Sequence, residues 1–197
     1  MLRGADTRSI AAKNHNQGTN LKKPTDWPLA IHKVLAGNGI RQVSYVPDAG
    51  HKRLIELCQS DKAMRTVVLT TEEEGLGLVM GAWLAGDKSA VLMQSSGVGN
   101  IINTLATIKE CRFPLLMLIT MRGDEGEFNP WQVPMGQATQ TVLEAMGVVV
   151  KRIATAEDAE PVVSAAARLA YNSYAAVAVL IAQSLIGIKS FQDQTSR

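Results

Sequence analysis

Three consecutive carboxylates, Glu72, Glu73 and Glu74, stand where a short apolar run gives way to a long apolar segment that contains several glycines. The run at residues 66–69 is typical of a strand, and the segment after it predicts a helix. In open α/β folds the ligand binds at the carboxyl ends of the parallel strands. One of these carboxylates is therefore a candidate for hydrogen bonding or proton exchange with a bound ligand.

The same acids also suit a structural task. Thr71 and Glu74 have the spacing of a capping box, in which Thr71 is the N-cap residue and Glu74 returns to the backbone. Acidic side chains also stabilise the first turn of a helix through its dipole, and there they commonly face water. Glu72 and Glu73 remain as candidates, and because they lie roughly a third of a turn apart, only one is expected to face a cleft.

The glycines at 75, 77 and 81 do not predict a dinucleotide site. A dinucleotide fingerprint places bare glycine backbone directly after the strand, where it meets the pyrophosphate. Here three glutamates occupy that turn and would repel a diphosphate. The ribose-binding acid expected about 20 residues later is also missing from the sequence.

Helical and strand patterns alternate about six times along the chain, which predicts one α/β domain with a doubly wound, three-layer α/β/α arrangement and a mainly parallel six-stranded sheet. The domain is expected to span residues 23–190, after a flexible polar extension at 1–22 and before a tail at 191–197. A loop is predicted at 121–134 and a short helix at 139–146. The predicted strands are residues 42–46, 66–69, 89–93, 115–120, 148–150 and 176–181.

The bulk composition narrows the function classes. The chain has 197 residues, with 46% hydrophobic and 19% charged residues, which suits one packed domain. A net charge of +2 argues against nucleic acid or an anionic membrane as the partner. No apolar run approaches the roughly 18 residues of a membrane span. Cys58 and Cys111 lack metal-ligand spacing, which favours free thiols in a reducing, cytoplasmic compartment and no metal site in this chain.

Several segments together resemble the pyrimidine-binding domain of thiamine diphosphate enzymes, and within them the sulfopyruvate and phosphonopyruvate decarboxylases. The resemblance spans about residues 28–181. It rests on Glu73-Glu74-Gly75-Leu76-Gly77 followed by the stretch 81–86, on Met93-Gln94-Ser95-Ser96-Gly97-Val98-Gly99-Asn100 and the residues up to 105, on Tyr45-Val46-Pro47-Asp48, and on the segments 122–125 and 132–139.

The resemblance implies thiamine diphosphate as the cofactor. In that family a glutamate hydrogen-bonds the aminopyrimidine ring and activates the cofactor. The Glu-x-Gly-x-Gly match assigns this role to Glu73, with Glu72 in reserve. The family's glycine-rich loop lies over the pyrimidine, so Gln94, Gly97 and Asn100 are expected to contact the cofactor. Asn100 also suits helix capping.

The match to the family is less complete at the residues that would contact the substrate. Many related decarboxylases place Asp or Ser two residues after the proline, where this chain has Ala49. Asp48 or His51 would then supply the catalytic polar group, although His51 equally suits a surface position at a helix start. Arg122 follows a buried strand, where an arginine could bind a sulfonate or phosphonate. Arg122 equally suits a solvated loop.

The family binds the diphosphate through Mg²⁺, held by Gly-Asp-Gly and an Asn nearly thirty residues later. The closest segments here begin Gly86-Asp87 and Gly123-Asp124, and neither is followed by such an Asn. The resemblance therefore implies a separate diphosphate-binding β subunit that holds the Mg²⁺, and a homodimer, a hetero-oligomer or both. The activity implied is decarboxylation of a small 2-oxo acid by a carboxy-lyase. The alternatives are a non-catalytic binding or regulatory protein of this fold, and a subunit of a different split carboligase.

Overall fold

A computed structural model describes residues 25–187 of the chain. The predicted extension at 1–22 and tail at 191–197 lie outside this part. The strands are β1 (Ile40–Tyr45), β2 (Arg65–Val68), β3 (Lys88–Gln94), β4 (Leu115–Thr120), β5 (Val149–Ile153) and β6 (Ala176–Ile181). The helices are α1 (Trp27–Gly37), α2 (Lys52–Ser60), α3 (Glu72–Leu84), α4 (Val98–Ile101), α5 (Thr104–Glu110), α6 (Val133–Ala145), α7 (Ala159–Ser173) and α8 (Gln183–Ile186).

The strands form one six-stranded sheet in the order β2-β1-β3-β4-β6-β5, and every pairing is parallel. The predicted doubly wound α/β fold is confirmed. From β1 the chain moves outward to β2, whereas from β3 it moves the other way to β4. This change of direction opens a crevice at the carboxyl ends of β1 and β3, which is where ligands bind in such sheets.

Helices cover both faces of the sheet. Leucine and isoleucine side chains of α1 and α2 and the small residues of α7 pack on one face, and apolar residues of α3, α4, α5 and α6 pack on the other. β4 is buried along its whole length, as expected for a central parallel strand covered on both sides. The two layers of helices fix the carboxyl edge of the sheet as a rigid platform.

Helix α6 begins at Val133, six residues before the predicted start at Thr139. Pro134 lies within the first turn of α6, where a proline fits because the first backbone N–H groups of a helix have no partner inside it. The predicted loop is therefore shorter than expected. No helix in residues 25–187 is long and apolar enough to cross a membrane.

Candidate active site

Polar side chains from three strand ends meet at the crevice between β1 and β3. Asp48 follows β1, Gln94 ends β3 and Thr120 ends β4. The Thr120 hydroxyl donates to Asp48 Oδ2 at 2.5 Å, and Gln94 Nε2 donates to Asp48 Oδ1 at 3.1 Å. The Ser96 hydroxyl donates to Gln94 Oε1 at 2.9 Å. Both oxygens of Asp48 are thus held, so this carboxylate has a fixed place beside the crevice.

His51 lies inside the protein, with none of its surface exposed, so the surface alternative considered for it is wrong. Its Nε2 lies 3.0 Å from the carbonyl oxygen of Leu118, and Nδ1 has no hydrogen-bond partner among residues 25–187. Burial lowers the pKa of His51, although the charge of Asp48 and two backbone carbonyls oppose that effect. A neutral ring donating from Nε2 fits these contacts. Full burial leaves no route for direct contact with a ligand, so any influence of His51 on chemistry passes through its neighbours.

The first glutamate of α3 points into the protein. Glu72 is 7% exposed, and its Oε2 accepts a hydrogen bond from Asn100 Nδ2 at 2.8 Å. The turn that follows β3 crosses this carboxylate so closely that a Cβ on Gly97 would lie 2.2 Å from Glu72 Oε1. Glu72 therefore fills the space beneath the turn, and only glycine fits above it.

The second and third glutamates of α3 are exposed. Glu73 Oε1 accepts a hydrogen bond from the Thr104 hydroxyl at 2.7 Å. Glu74 Oε2 accepts one from the backbone N–H of Thr70 at 2.8 Å, while the Thr71 hydroxyl makes no capping bond to the described helix. The predicted capping box is therefore wrong in detail, because Glu74 reaches the residue before the N-cap Thr71 and not Thr71 itself. The fold thus separates the two candidates, with Glu72 turned inward and Glu73 outward.

Arg122 is already paired. Its Nε donates to Glu127 Oε2 at 2.7 Å and its Nη2 donates to the other oxygen. The side chains are 13% and 3% exposed. The Arg122 guanidinium is the main cause that lowers the pKa of Glu127 to about 2. The pair uses Nε and one N–H of Nη2, and the low exposure of Arg122 limits access of an anion to the remaining N–H groups.

A small cavity lies between this ion pair and the strand ends. Its lining includes Asp48, Gly50, Thr120, Arg122 and Gln183, and it has room for about one water molecule. Gln183 Nε2 also donates to Glu127 Oε2 at 2.9 Å. The cavity therefore joins the Asp48 network to the Arg122–Glu127 pair.

Sequence reasoning missed Thr104, Thr120 and Glu127. Thr120 had a usable signal, because a hydroxyl residue that ends an apolar strand lies at the ligand-binding edge. The sequence carried no such signal for Thr104 or Glu127. Thr104 meets Glu73 only through the packing of α5, and Glu127 meets Arg122 only through the path of the loop after β4. Within the described part of the chain, no group of three or more His, Cys, Asp or Glu side chains is arranged to hold a metal ion.

Comparison with known proteins identifies the family of this chain. Residues 29–146 match the family described as thiamine pyrophosphate enzyme, N-terminal TPP binding domain. The chain belongs to this family. Sulfopyruvate decarboxylase subunit alpha from Methanococcus maripaludis is 36% identical over 153 residues, which cover 77% of this chain and 92% of that protein. The resemblance inferred from the motifs is confirmed.

Longer proteins match over part of their length. Phosphonopyruvate decarboxylase from Streptomyces viridochromogenes is 35% identical over 112 residues, which cover 56% of this chain and 28% of that protein. The structure of 2-oxoglutarate:ferredoxin oxidoreductase from Magnetococcus marinus superposes with a TM-score of 0.63 at 16% identity, covering 81% of this chain and 29% of that one. At this identity the likeness concerns the fold alone.

Proposed function

We propose that this chain is the pyrimidine-binding subunit of a thiamine diphosphate-dependent 2-oxo acid decarboxylase of the sulfopyruvate or phosphonopyruvate type. The observation that carries the proposal is the exposed carboxylate of Glu73 at the carboxyl edge of the sheet, inside the region that matches the family. Further support comes from length, because the match covers 92% of a relative that is itself an alpha subunit.

Accessibility favours Glu73 over Glu72 as the glutamate that meets the cofactor. A ring that arrives from another polypeptide must be able to reach the carboxylate. Glu73 meets this need, since the Thr104 hydroxyl holds Oε1 and the exposed side chain leaves Oε2 for a ring nitrogen. Glu72 is buried and bonded to Asn100. Glu72 remains the second candidate for this role, because some members of the family have one more residue between the glutamate and the glycine.

The residues of this chain fit the pyrimidine half of the cofactor. When bound, thiamine diphosphate supplies the nucleophilic carbon and the electron sink that loss of CO2 from a 2-oxo acid requires. Glu73 would share a proton with the ring nitrogen, and Thr104 would hold its carboxylate in place. The Gly97 turn would lie against the ring. Gln94 and Asn100 already bond to Asp48 and Glu72, so they orient these acids.

Asp48 is the proposed polar group on the substrate side. It lies at the crevice with Thr120 and Gln94 on its two oxygens, where it could hold or deliver a proton near the reacting carbon. His51 would act only through this acid. Arg122 is the least supported of the proposed contacts, because Glu127 already balances its charge and only 13% of its side chain is exposed.

A second polypeptide is part of the proposal. It would hold the diphosphate and Mg²⁺, in a hetero-oligomer or alongside homodimers, in the cytoplasm. Support comes from the outer face of α3 beside Glu73. At Gly77 and Gly81 no atom of the described chain beyond the helix's own nearby backbone and the adjoining residues lies within 4 Å of an added Cβ, and Leu84 is 77% exposed. An apolar, glycine-lined helix face is suited to close contact with another chain.

The test is reconstitution with a diphosphate-binding subunit, thiamine diphosphate and Mg²⁺, followed by measurement of CO2 release from 3-sulfopyruvate, 3-phosphonopyruvate and pyruvate. One of the two anionic substrates is expected to react. Glu73→Gln is expected to lower kcat by about 10²–10⁴-fold, the usual worth of a positioned acid–base group, and Glu72→Gln by much less. Bound cofactor with no CO2 from any substrate would favour the non-catalytic alternative. Loss of activity in Glu72→Gln alone would move the catalytic role to Glu72.

A further inference from the structure

We infer that a basic cleft at the amino ends of β1, β2 and β3 binds a compact anion that carries two or more negative charges, such as a diphosphate or a tricarboxylate. The cleft lies at the edge of the sheet opposite the crevice, at the other end of β1. The inference goes beyond the proposed function and does not rest on it, because none of the residues concerned takes part in the proposed chemistry.

The basic cleft is built on the starts of three neighbouring strands. Arg41 lies in β1, Arg65 begins β2 and Asp87 directly precedes β3. The cleft has a volume of about 490 Å³, which suits a small molecule. Because the sheet fixes the strand starts relative to one another, the cleft has a defined shape. Its lining includes Arg41, Gln42, Lys62, Met64, Arg65 and Asp87.

The charge of the lining favours an anion. Arg41, Lys62 and Arg65 are exposed, and none of them belongs to an ion pair within residues 25–187. Asp87 is the one acid of the lining, which leaves a formal charge of +2 in the cleft, as much as the net charge of the whole chain. Like charges around a concave surface repel one another and concentrate their field. A bound anion would relieve this repulsion.

One of the three cations is oriented from inside the protein. Gln42 is 3% exposed, and its side-chain oxygen accepts a hydrogen bond from Arg65 Nη2. Its amide nitrogen donates to Ser89 Oγ at 3.3 Å and to the carbonyl oxygen of Leu78 at 3.4 Å. A guanidinium has five N–H groups, so Gln42 orients Arg65 and leaves most of these groups for a ligand.

A second explanation for surface cations applies to part of the cleft. Lysine and arginine on an edge strand hinder pairing with another sheet, and β2 is at the edge of the sheet. This explanation covers Arg65. It does not cover Arg41, which lies on the inner strand β1, or the buried amide that orients Arg65. Anion binding accounts for all three.

The shape of the lining narrows the ligand class. No aromatic side chain in the described part of the chain lines the basic cleft, so a nucleobase would find no stacking surface. The cations are instead spread over three strand starts, which suits an anion with more than one charged group. A compact diphosphate or tricarboxylate has this chemistry, whereas a monoanion could engage only part of the lining.

The test is isothermal titration calorimetry of the full chain without a partner, with inorganic pyrophosphate and citrate as probes and acetate as the monoanion. We expect one site per chain for pyrophosphate, citrate or both, with a Kd of about 1 mM or lower, and at least tenfold weaker binding of acetate. The same anions should raise Tm, because they bind the folded state. Binding should weaken with added salt, since the cations are exposed. If neither pyrophosphate nor citrate binds, the inference fails.

Charge variants locate the bound anion. Arg41→Gln and Arg65→Gln should each raise the Kd about tenfold, the effect of losing a hydrogen bond from a charged group. Arg65→Lys keeps the charge without the fork of N–H groups and should have a smaller effect. Asp87→Asn removes the one acid of the lining and should lower the Kd. A Kd that Arg41→Gln and Arg65→Gln leave unchanged would overturn the site.

Two controls remove the same charge elsewhere. Arg168 is exposed on α7 and Lys52 begins α2 at the catalytic edge, and neither lines the basic cleft. Arg168→Gln and Lys52→Gln should each change the Kd less than twofold. If Arg168→Gln weakens binding as much as Arg65→Gln, the anion responds only to net charge and the inference fails. If Lys52→Gln alone weakens binding, the anion binds at the catalytic edge, which equally overturns the inference.

Discussion

The guanidinium of Arg122 donates two hydrogen bonds to the carboxylate of Glu127, and this ion pair connects two positions of the loop that follows β4. Glu127 also accepts from the backbone N–H of Gly123 at 3.2 Å and from Gln183 at 2.9 Å. The carboxylate thus has partners in both the loop and α8. Its protonation would weaken all of these contacts together, which makes loop closure sensitive to acid.

The first prediction concerns that acid sensitivity. The pKa of Glu127 is lowered to about 2 from an ordinary value of 4.5. A folded pKa below the unfolded one contributes stability that is present above about pH 4.5 and is lost as the pH falls towards 2.

We expect the free energy of unfolding to fall more steeply between pH 5 and 3 in the wild type than in Glu127→Gln. At pH 7 the variant should be less stable by about 1.5–3 kcal/mol, the worth of hydrogen bonds to a charged group. Urea unfolding at several pH values measures both, and parallel curves would contradict the prediction.

The second prediction concerns His51, whose pKa is lowered by burial. The unfolded chain takes up a proton near pH 6.5 that the folded chain resists, so this stability is present above pH 6.5 and decreases as the pH falls below it. His51→Gln keeps an N–H that can donate to the Leu118 carbonyl. We expect it to flatten the loss of stability between pH 6.5 and 5. The control His32→Gln, at a partly exposed residue that pairs with Asp61, should keep the wild-type contribution of His51. Equal slopes in wild type and His51→Gln would show that His51 titrates normally.

The fold was predictable because strand and helix patterns alternate along the chain, and the central strands β3, β4 and β6 are mostly apolar. Leu115–Thr120 is the clearest case, since its unbroken apolar pattern predicts the central, doubly covered strand that the structure contains. The start of α6 was not predictable from Pro134, because a proline ends one helix and begins another with equal ease. Here Pro134 begins α6, and the start of this helix packs closely against the loop after β4, where a Cβ on Gly136 would lie 1.9 Å from the carbonyl oxygen of Arg122.

The site was predictable as a set of positions but not as a set of contacts. A helix start after a strand singled out Glu72 and Glu73, yet their hydrogen-bond partners, Asn100 for Glu72 and Thr104 for Glu73, lie far away in the sequence. His51 was expected at a helix start, where a surface position was an equal alternative. The α2 start instead turns the ring under the sheet edge. Arg122 could not be matched with Glu127, because an irregular loop decides that pairing.

The third prediction tests the support of Asp48. Thr120→Val keeps the shape of the side chain and removes the hydroxyl that donates to Asp48 Oδ2. We expect the chain to lose about 1 kcal/mol of stability, because a partly buried acceptor is left with one partner fewer. Thr120→Ser retains the hydroxyl donor and should lose less stability than Thr120→Val. In the reconstituted enzyme Thr120→Val should lower kcat more than KM changes. A variant as stable and as active as the wild type would mean that Gln94 alone fixes Asp48.

The last prediction uses three glycines on one helix. Gly77 and Gly81 face open space, whereas a Cβ on Gly75 would lie 2.9 Å from a methyl group of Leu69 and 3.0 Å from one of Val91. Glycine inside a helix costs about 1 kcal/mol relative to alanine. Gly77→Ala and Gly81→Ala should therefore each raise the stability of the isolated chain by about 0.5–1 kcal/mol, and Gly75→Ala should lower it. If the outer face of α3 docks against another subunit, the same two stabilising changes should weaken assembly, measured by light scattering and by titration of the partner. Stabilisation without weaker assembly would mean that the glycines face solvent in the complex, and the partner would then have to reach Glu73 from the side of α5.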